Sequence, residues 1–204
     1  MKSISFLILS LITVKCFSQA SIDSDNATIY LKEIREVDGK YDELKKRAYE
    51  WVAKSYNNSN YVTRINDKSK IITKGSFKVS SPFTSYNHTV VVPRTIKYVL
   101  QLDFKDNKYK IEIENLDVGI YHNILMALWT KEEYRDYSRE IAEDYEGPGK
   151  KAMIKRVNND KKFESDYQNQ LSYSKSIIKQ IMKKLNDIDN SLFSFMKSKQ
   201  EDDW

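Results

Sequence analysis

The amino-acid sequence predicts an α+β domain, with an antiparallel sheet of about five strands, helices on one face and a helical C-terminal extension. Three observations predict this class. The chain opens with a strand and a helix, two alternating apolar segments flank a two-residue turn, and helical spacing fills the second half. The element order is β-α-β-β-β-β-α, which suits a helix layer packed against one face of an antiparallel sheet.

The first strand and the first helix are separated by a change in apolar period. Residues 28–37 are rich in β-forming side chains, and Ile29 and Leu31 share one face. From residue 40 to residue 56 the spacing becomes helical, and the first turn is acidic, as the helix dipole favours. The helical apolar positions are Tyr41, Leu44, Ala48, Trp51, Val52 and Tyr56.

Two more strands are expected at residues 61–65 and 70–79. Gly75 lies inside the second, where a glycine typically marks a bulge or the close approach of another group. Residues 81–87, which include Pro82, are expected to form a loop.

A β-hairpin over residues 94–114 is the clearest pattern in the chain. Apolar residues alternate strictly on both sides of Asp106-Asn107. A two-residue loop there pairs Phe104 with Tyr109, Leu102 with Ile111 and Leu100 with Ile113 on one face. The same register pairs Asp103 with Lys110 on the other face. The sequence therefore predicts a sheet with one face covered by helices and the other face exposed to solvent.

The second half of the chain predicts helices. Residues 119–129 are expected to form a short apolar helix, and Thr130 with Glu133 has capping-box spacing for the next one. Gly147-Pro148-Gly149 ends that helix, and a long final helix begins near Asp160. A stripe along this helix suits either packing on the sheet or a coiled coil between copies of the chain. Its members are Tyr167, Leu171, Ser174, Ile178, Ile181, Leu185, Ile188, Leu192 and Phe195.

Residues 1–20 have the pattern of a secretory signal peptide. Lys2 precedes an uncharged, mostly apolar run at residues 4–14, which is too short to cross a membrane. Small residues follow, and we expect cleavage after Ser18 or Ala20. The protein is then exported to the periplasm or the exterior. The alternative interpretation of this segment is a buried N-terminal helix.

Cys16 is the only cysteine, and it lies within the expected signal peptide. Lys15 before it fits a lipoprotein signal poorly, so we do not expect a lipid anchor. The mature chain would then contain no thiol nucleophile and no disulfide. An exported chain without disulfides favours a bacterial periplasm over a eukaryotic secretory route.

The charge balance argues against a nucleic-acid partner. The net charge of the full chain is +5, and it falls to +3 when Lys2 and Lys15 leave with the signal peptide. Binding of DNA or RNA needs Lys and Arg clustered on one face.

Beyond the signal, we expect an α+β domain at residues 21–118, a helical insertion at 119–160, the long helix at 161–198 and an acidic tail at 199–204.

Three segments carry a resemblance to a known family. They are residues 40–53 (KYDELKKRAYEWVA), 70–77 (KIITKGSF) and 98–113 (YVLQLDFKDNKYKIEI). The layout resembles an uncharacterised family of exported bacterial proteins with a TATA-binding-protein-like (TBP-like) fold, over about residues 28–118 and the final helix. The resemblance implies a fold and an exported location. It implies no activity, cofactor or catalytic residue, and fold does not fix function.

The candidate site is the polar face of the hairpin, which holds Lys97, Gln101, Asp103, Lys110, Glu112 and Glu114, together with Val99. Glu112 and Glu114 lie about 7 Å apart on one strand, a spacing suited to acid–base chemistry. Nearby lysines favour instead a solvated face of mixed charge. His88, in the expected loop before the hairpin, and His122 are isolated, so no metal site is expected, and no cofactor-binding motif is present.

Three functional hypotheses follow. The first is a non-enzymatic exported binding or assembly module, whose open sheet face or helical extension contacts a protein or envelope component. The second is a hydrolase or transferase that uses carboxylates with His88. The third is a homo-oligomer formed through the stripe between Leu171 and Phe195. An enzyme needs a pocket with perturbed pKa values, and a binding module needs an exposed patch.

Overall fold

The computed structural model describes residues 19–24, 28–56, 63–66, 70–85, 88–117 and 126–198. The predicted signal peptide, apart from residues 19 and 20, lies outside the described residues. So do His122, the acidic tail and most of the short helix expected at residues 119–129, of which residues 126–128 form a single 3₁₀ turn. The predicted domain boundaries remain predictions.

The predicted antiparallel sheet is confirmed, and the described part of the chain adds one short edge strand. The spatial order is β1-β2-β6-β5-β4-β3, and every neighbouring pair is antiparallel. The strands are β1 (Ser21–Asp23), β2 (Thr28–Glu36), β3 (Thr63–Asn66), β4 (Lys70–Ser85), β5 (His88–Lys105) and β6 (Lys108–Asp117). The last five are the predicted strands, and β1 is the addition.

The helices of the described residues are α1 (Tyr41–Ser55), α2 (Lys131–Glu143), α3 (Gly147–Val157) and α4 (Asp160–Lys197). Thr130 caps α2 as predicted: its Oγ1 accepts from the Glu133 N–H at 3.2 Å, and the Glu133 carboxylate accepts from the Thr130 N–H at 2.6 Å. Asn159 caps α4 through the Lys162 N–H. None of the described helices has both the length and the apolar character needed to cross a membrane.

The predicted hairpin register is confirmed. Phe104 pairs with Tyr109, Leu102 with Ile111, Leu100 with Ile113 and Asp103 with Lys110. The members of the first three pairs are buried. The two-residue turn contains Asn107 at φ 61°, a left-handed conformation that asparagine tolerates.

The turn of this hairpin also completes the start of α1. Lys40, at the N-cap position, makes no capping bond with its own side chain. The Tyr41 N–H donates instead to Asp106 Oδ1 at 2.8 Å. Two backbone bonds fix the same contact, from the Val37 N–H to the Asn107 carbonyl at 3.0 Å and from the Asn107 N–H to the Gly39 carbonyl at 2.9 Å.

The prediction of a loop at residues 81–87 is wrong. Strand β4 continues to Ser85, β5 starts at His88, and the two pair along this whole length, so His88 is a strand residue. Pro93 fits because it pairs with Ser80, whose backbone faces away from β5. Gln180 of α4 bonds that outward side, accepting from the Ser80 N–H at 3.3 Å and donating to its carbonyl at 2.8 Å.

The long helix α4 packs on the sheet with the predicted stripe turned inward. Ser174, Ile178, Ile181, Leu185 and Leu192 are buried, and the core that they join contains the apolar side chains of β5 and β6. Most of the stripe between Leu171 and Phe195 is therefore occupied within one molecule. A hydrogen bond of 3.1 Å from Trp51 Nε1 to Ser191 Oγ joins α4 to α1.

Gly75 marks a close approach, as the sequence predicts. It pairs with Tyr98 across β4 and β5, and a Cβ atom at this position would lie 2.3 Å from the Tyr98 ring. Two contacts restrain that ring. Its hydroxyl lies 2.8 Å from the hydroxyl of Tyr56, and its centroid lies 5.7 Å from that of Phe77.

We expect Gly75→Ala to destabilise the protein by about 1–3 kcal/mol, because the new methyl group must displace a restrained tyrosine in a packed core. Urea unfolding followed by circular dichroism measures this change. Ser76→Ala is the matched control: Ser76 is exposed on the opposite face, and its substitution should change stability by less than about 0.5 kcal/mol. Equal stability of the two variants would contradict the close contact.

Candidate functional site

The open side of the sheet is the candidate site, and strand alternation builds it. The apolar residues of β5 and β6 point into the helix layer, so the residues between them point away from it. This side carries all six predicted residues: Lys97, Gln101, Asp103, Lys110, Glu112 and Glu114. The neighbouring strands add Lys32, Ile34, Lys74 and Lys78. We call this surface the open face.

A network of paired charges occupies the centre of the open face. Glu112 lies between two lysines, 2.7 Å from Lys32 Nζ through Oε1 and 3.0 Å from Lys110 Nζ through Oε2. Lys110 also lies 3.3 Å from Asp103. The Asp103 carboxylate accepts from Gln101 Nε2 at 2.8 Å. Three strands therefore contribute to one network.

The network keeps its central groups charged at neutral pH. The hydrogen bond from Lys32, followed by that from Lys110, lowers the pKa of Glu112 despite partial burial. The hydrogen bond to Glu112, with a further contribution from Asp103, raises the pKa of Lys110. A carboxyl group that acts as a general acid near neutral pH needs the opposite shift. The ion pairs around Glu112 and Lys110 therefore give the open face a fixed pattern of charge rather than a proton donor.

Lys97 and Glu114 lie at an irregular end of the open face. The pairing of β5 with β6 shifts between Lys97 and Val99, and Asn115 has φ 54°. Glu114 is exposed, whereas Glu112 is held between lysines. The structure therefore places the two glutamates in different surroundings.

An exposed isoleucine adjoins the charge network. Ile34 of β2 pairs with Lys110 across the strands, and 63% of its surface is exposed. It lines a shallow depression of about 380 Å³ that includes Asp103 and Lys108. An apolar side chain beside ordered charges is a combination typical of binding surfaces in proteins.

A larger cleft lies at the end of the sheet, around the turn between β5 and β6. It has a volume of about 790 Å³ and surrounds the turn that caps α1. Its charges are of both signs, and several are paired: Arg47 bonds Glu43 and the Met196 carbonyl, and Asp106 lies 3.6 Å from Lys40.

No three His, Cys, Asp or Glu side chains of the described residues come together as metal ligands. His88 is exposed at the first position of β5. The structure therefore does not bring His88 into a cluster of acidic ligands within this part of the chain.

Sequence reasoning missed a buried ion pair on the covered side of the sheet. Arg35 of β2 binds both carboxylate oxygens of Asp189 in α4, and Asp189 is only 1% exposed. The Arg35 guanidinium also lies 4.7 Å from the centre of the Phe193 ring. Burial, and then the nearby Asp189 charge, raise the pKa of the Tyr109 hydroxyl. This pair fixes the helix against the sheet and has the character of a structural contact.

A signal for this pair was present in the sequence. Arg35 falls in the same alternation phase as Leu31, and Asp189 lies between Leu185 and Leu192 on the apolar stripe. Opposite charges that each interrupt an apolar face suggest that the two faces meet.

We expect Asp189→Ala to destabilise the protein by about 3–5 kcal/mol, since it leaves the Arg35 charge buried without its partner. The double variant Arg35→Met/Asp189→Leu should recover most of that loss, because neither charge remains. Urea unfolding of the wild type and both variants gives the comparison. A double variant no more stable than Asp189→Ala would contradict this account.

We expect Glu112→Gln to lower the stability by about 1 kcal/mol at pH 7. The folded-state pKa of Glu112 lies below its unfolded value, so its contribution is present above the unfolded pKa, near pH 4.3. That contribution is lost as the pH falls through the folded pKa. Unfolding measured between pH 7 and pH 3 should therefore show the two proteins converging in acid. A difference that stays constant with pH would contradict the ion-pair explanation.

The comparisons with known proteins concern mainly the sheet domain. Residues 30–118 match the family described as a domain of unknown function (DUF4468) with TBP-like fold. A DUF4468 family protein from Bacteroides ovatus is 14% identical, with a TM-score of 0.36, and the match covers 48% of this chain and 57% of that one. A TBP-like protein from Parabacteroides distasonis is 15% identical, with a TM-score of 0.39, over 81% of this chain and 92% of that one.

No curated protein matches the chain. The family match runs from Tyr30 in β2 to the end of β6, so it includes the strands that carry the residues of the open face. Residues 30–118 are thus similar to the DUF4468 family and share its TBP-like fold, in agreement with the resemblance seen in the sequence.

Proposed function

We propose that the protein is an exported, non-enzymatic binding or assembly module of the bacterial periplasm or cell envelope. Its open face contacts a protein or another envelope component. The observation that carries this proposal is the charge network centred on Glu112, which lies beside the exposed Ile34. A fixed pattern of charge around an apolar contact orients a partner and selects against mismatched ones.

The electrostatics of the open face favour binding over carboxylate catalysis. A glycosidase-like pair needs one carboxyl group with a raised pKa to donate a proton. Glu112 has a lowered pKa, and Asp103 is engaged by Lys110 and Gln101. Turnover of a glycan or peptide that disappears in Glu112→Gln would support the enzyme instead.

Export rests on the sequence of residues 1–20, and the packing of Ala20 bears on the cleavage position. Ala20 is 2% exposed, and its N–H donates to Asn186 Oδ1 at 2.8 Å. Cleavage after Ser18 keeps this residue in the core, whereas cleavage after Ala20 removes it. These contacts support the first position.

We expect the protein isolated from fractionated native cells to lie in the periplasm, envelope or medium and to begin at Gln19. Intact-mass measurement and N-terminal sequencing give both results. A cytoplasmic protein that retains residues 1–18 would overturn the export proposal.

A second experiment tests the open face directly. A photo-cross-linking residue at Lys74 or Lys97 should give a discrete cross-linked product in native cells, because both side chains are exposed on that face. The same residue at Lys151, exposed on α3, is the control and should give no such product. Products of equal yield from all three positions, or from none, would contradict a contact specific to this face.

A further inference from the structure

We propose that an apolar groove beside α4 is a contact surface for an anionic phospholipid membrane. The groove has a volume of about 540 Å³ and lies between α4, β1 and the 3₁₀ turn at residues 126–128. Its apolar lining consists of Ile22, Ala127, Leu128, Ile178 and Met182. We call it the lysine groove, after the residues on its rim.

A row of positive charge borders the lysine groove. Lys175, Lys179 and Lys183 are exposed and recur every four residues, so they lie along one side of α4. Lys183 lies 2.8 Å from Asp187. Among the described residues, no carboxylate lies within ion-pair distance of Lys175 or Lys179. The groove therefore offers uncompensated positive charge beside apolar surface.

The order of charge and apolar surface fits a membrane. In a membrane, anionic headgroups lie above apolar acyl chains. In the groove, positively charged lysine ammonium groups likewise lie beside an apolar lining, on flexible stems that can reach the headgroups. Leu128 is 39% exposed at this lining, so it presents apolar surface to a membrane without rearrangement. Each lysine near an anionic surface adds appreciably to binding, and salt weakens the effect.

The path of the chain near Ala20 also supports a membrane contact. The Ala20 N–H is bonded to Asn186, and both Asn186 and Ile22 line the groove. Val14, the last residue of the apolar run, precedes Ala20 by six residues, or about 20 Å of extended chain. If that run enters the membrane during export, the lysine groove lies close to the membrane surface until the signal peptide is cleaved. The charge argument does not depend on this tether.

Flotation with lipid vesicles tests the proposal on purified protein, independently of export and of the open face. The chain starting at Gln19 contains the whole described core and lacks the apolar run. It should float with vesicles of phosphatidylglycerol and phosphatidylethanolamine at 50 mM NaCl and lose this binding at 500 mM NaCl. Vesicles of phosphatidylcholine should bind it weakly. Failure to bind the anionic vesicles at low salt would overturn the proposal.

Charge-reversal variants locate the surface. Lys175→Glu/Lys179→Glu should weaken vesicle binding at least about tenfold. Lys151→Glu/Lys155→Glu is the matched control, because these lysines are exposed, four residues apart on α3 and outside the groove. It makes the same change in net charge and should alter binding by less than about twofold. Circular dichroism verifies that both variants fold.

Three further outcomes decide the matter. Equal losses in the two charge variants would overturn the proposal, since binding would then follow net charge alone. Leu128→Ser should reduce binding about threefold if the apolar lining takes part, and unchanged binding would overturn that role. A soluble polyglutamate peptide that binds through Lys175 and Lys179, while anionic vesicles do not bind, would assign the groove to an acidic protein segment instead.

Discussion

Burial of one face of the β5–β6 hairpin beneath α1 and α4 is the constraint on which the rest of the structure depends. Leu100, Leu102, Ile111 and Ile113 are fully buried, and α4 supplies inward-facing apolar residues to the same core. A shift of one residue in the register would turn every one of these side chains towards solvent. The hairpin register also places Asp103 opposite Lys110, and the pairing of β6 with β2 places Glu112 opposite Lys32, so the two registers together determine the charge pattern of the open face.

The parts of the fold that follow from local periodicity were predictable from the sequence. The hairpin register follows from alternation on both sides of Asp106-Asn107, because strand side chains repeat every two residues. The cap of α2 follows from the spacing of Thr130 and Glu133. The family resemblance agrees with these local signals over the same strands. The placement of the candidate site residues on one face was predictable for the same reason.

Features that depend on long-range contacts were not predictable in this way. Residues 81–87, which include Pro82, were expected to form a loop, but most of them continue β4, and Pro93 of β5 is accommodated at the position opposite Ser80, whose backbone faces outward. Gly147-Pro148-Gly149 was expected to break the helical segment, but these residues begin α3, and Pro148 lies in its first turn, where a proline needs no hydrogen-bond partner for its nitrogen. The partnership of Arg35 with Asp189 joins positions 154 residues apart.

The contact between Asp106 and the start of α1 has a consequence for the order of folding. The helix receives its terminal acceptor from a residue 65 positions later in the chain. When the polypeptide emerges from the N-terminus onwards, whether from a ribosome or from a translocation channel, α1 is complete only after the β5–β6 corner has emerged. The hairpin and the helix therefore mature together, and early compaction of the N-terminal half alone is disfavoured.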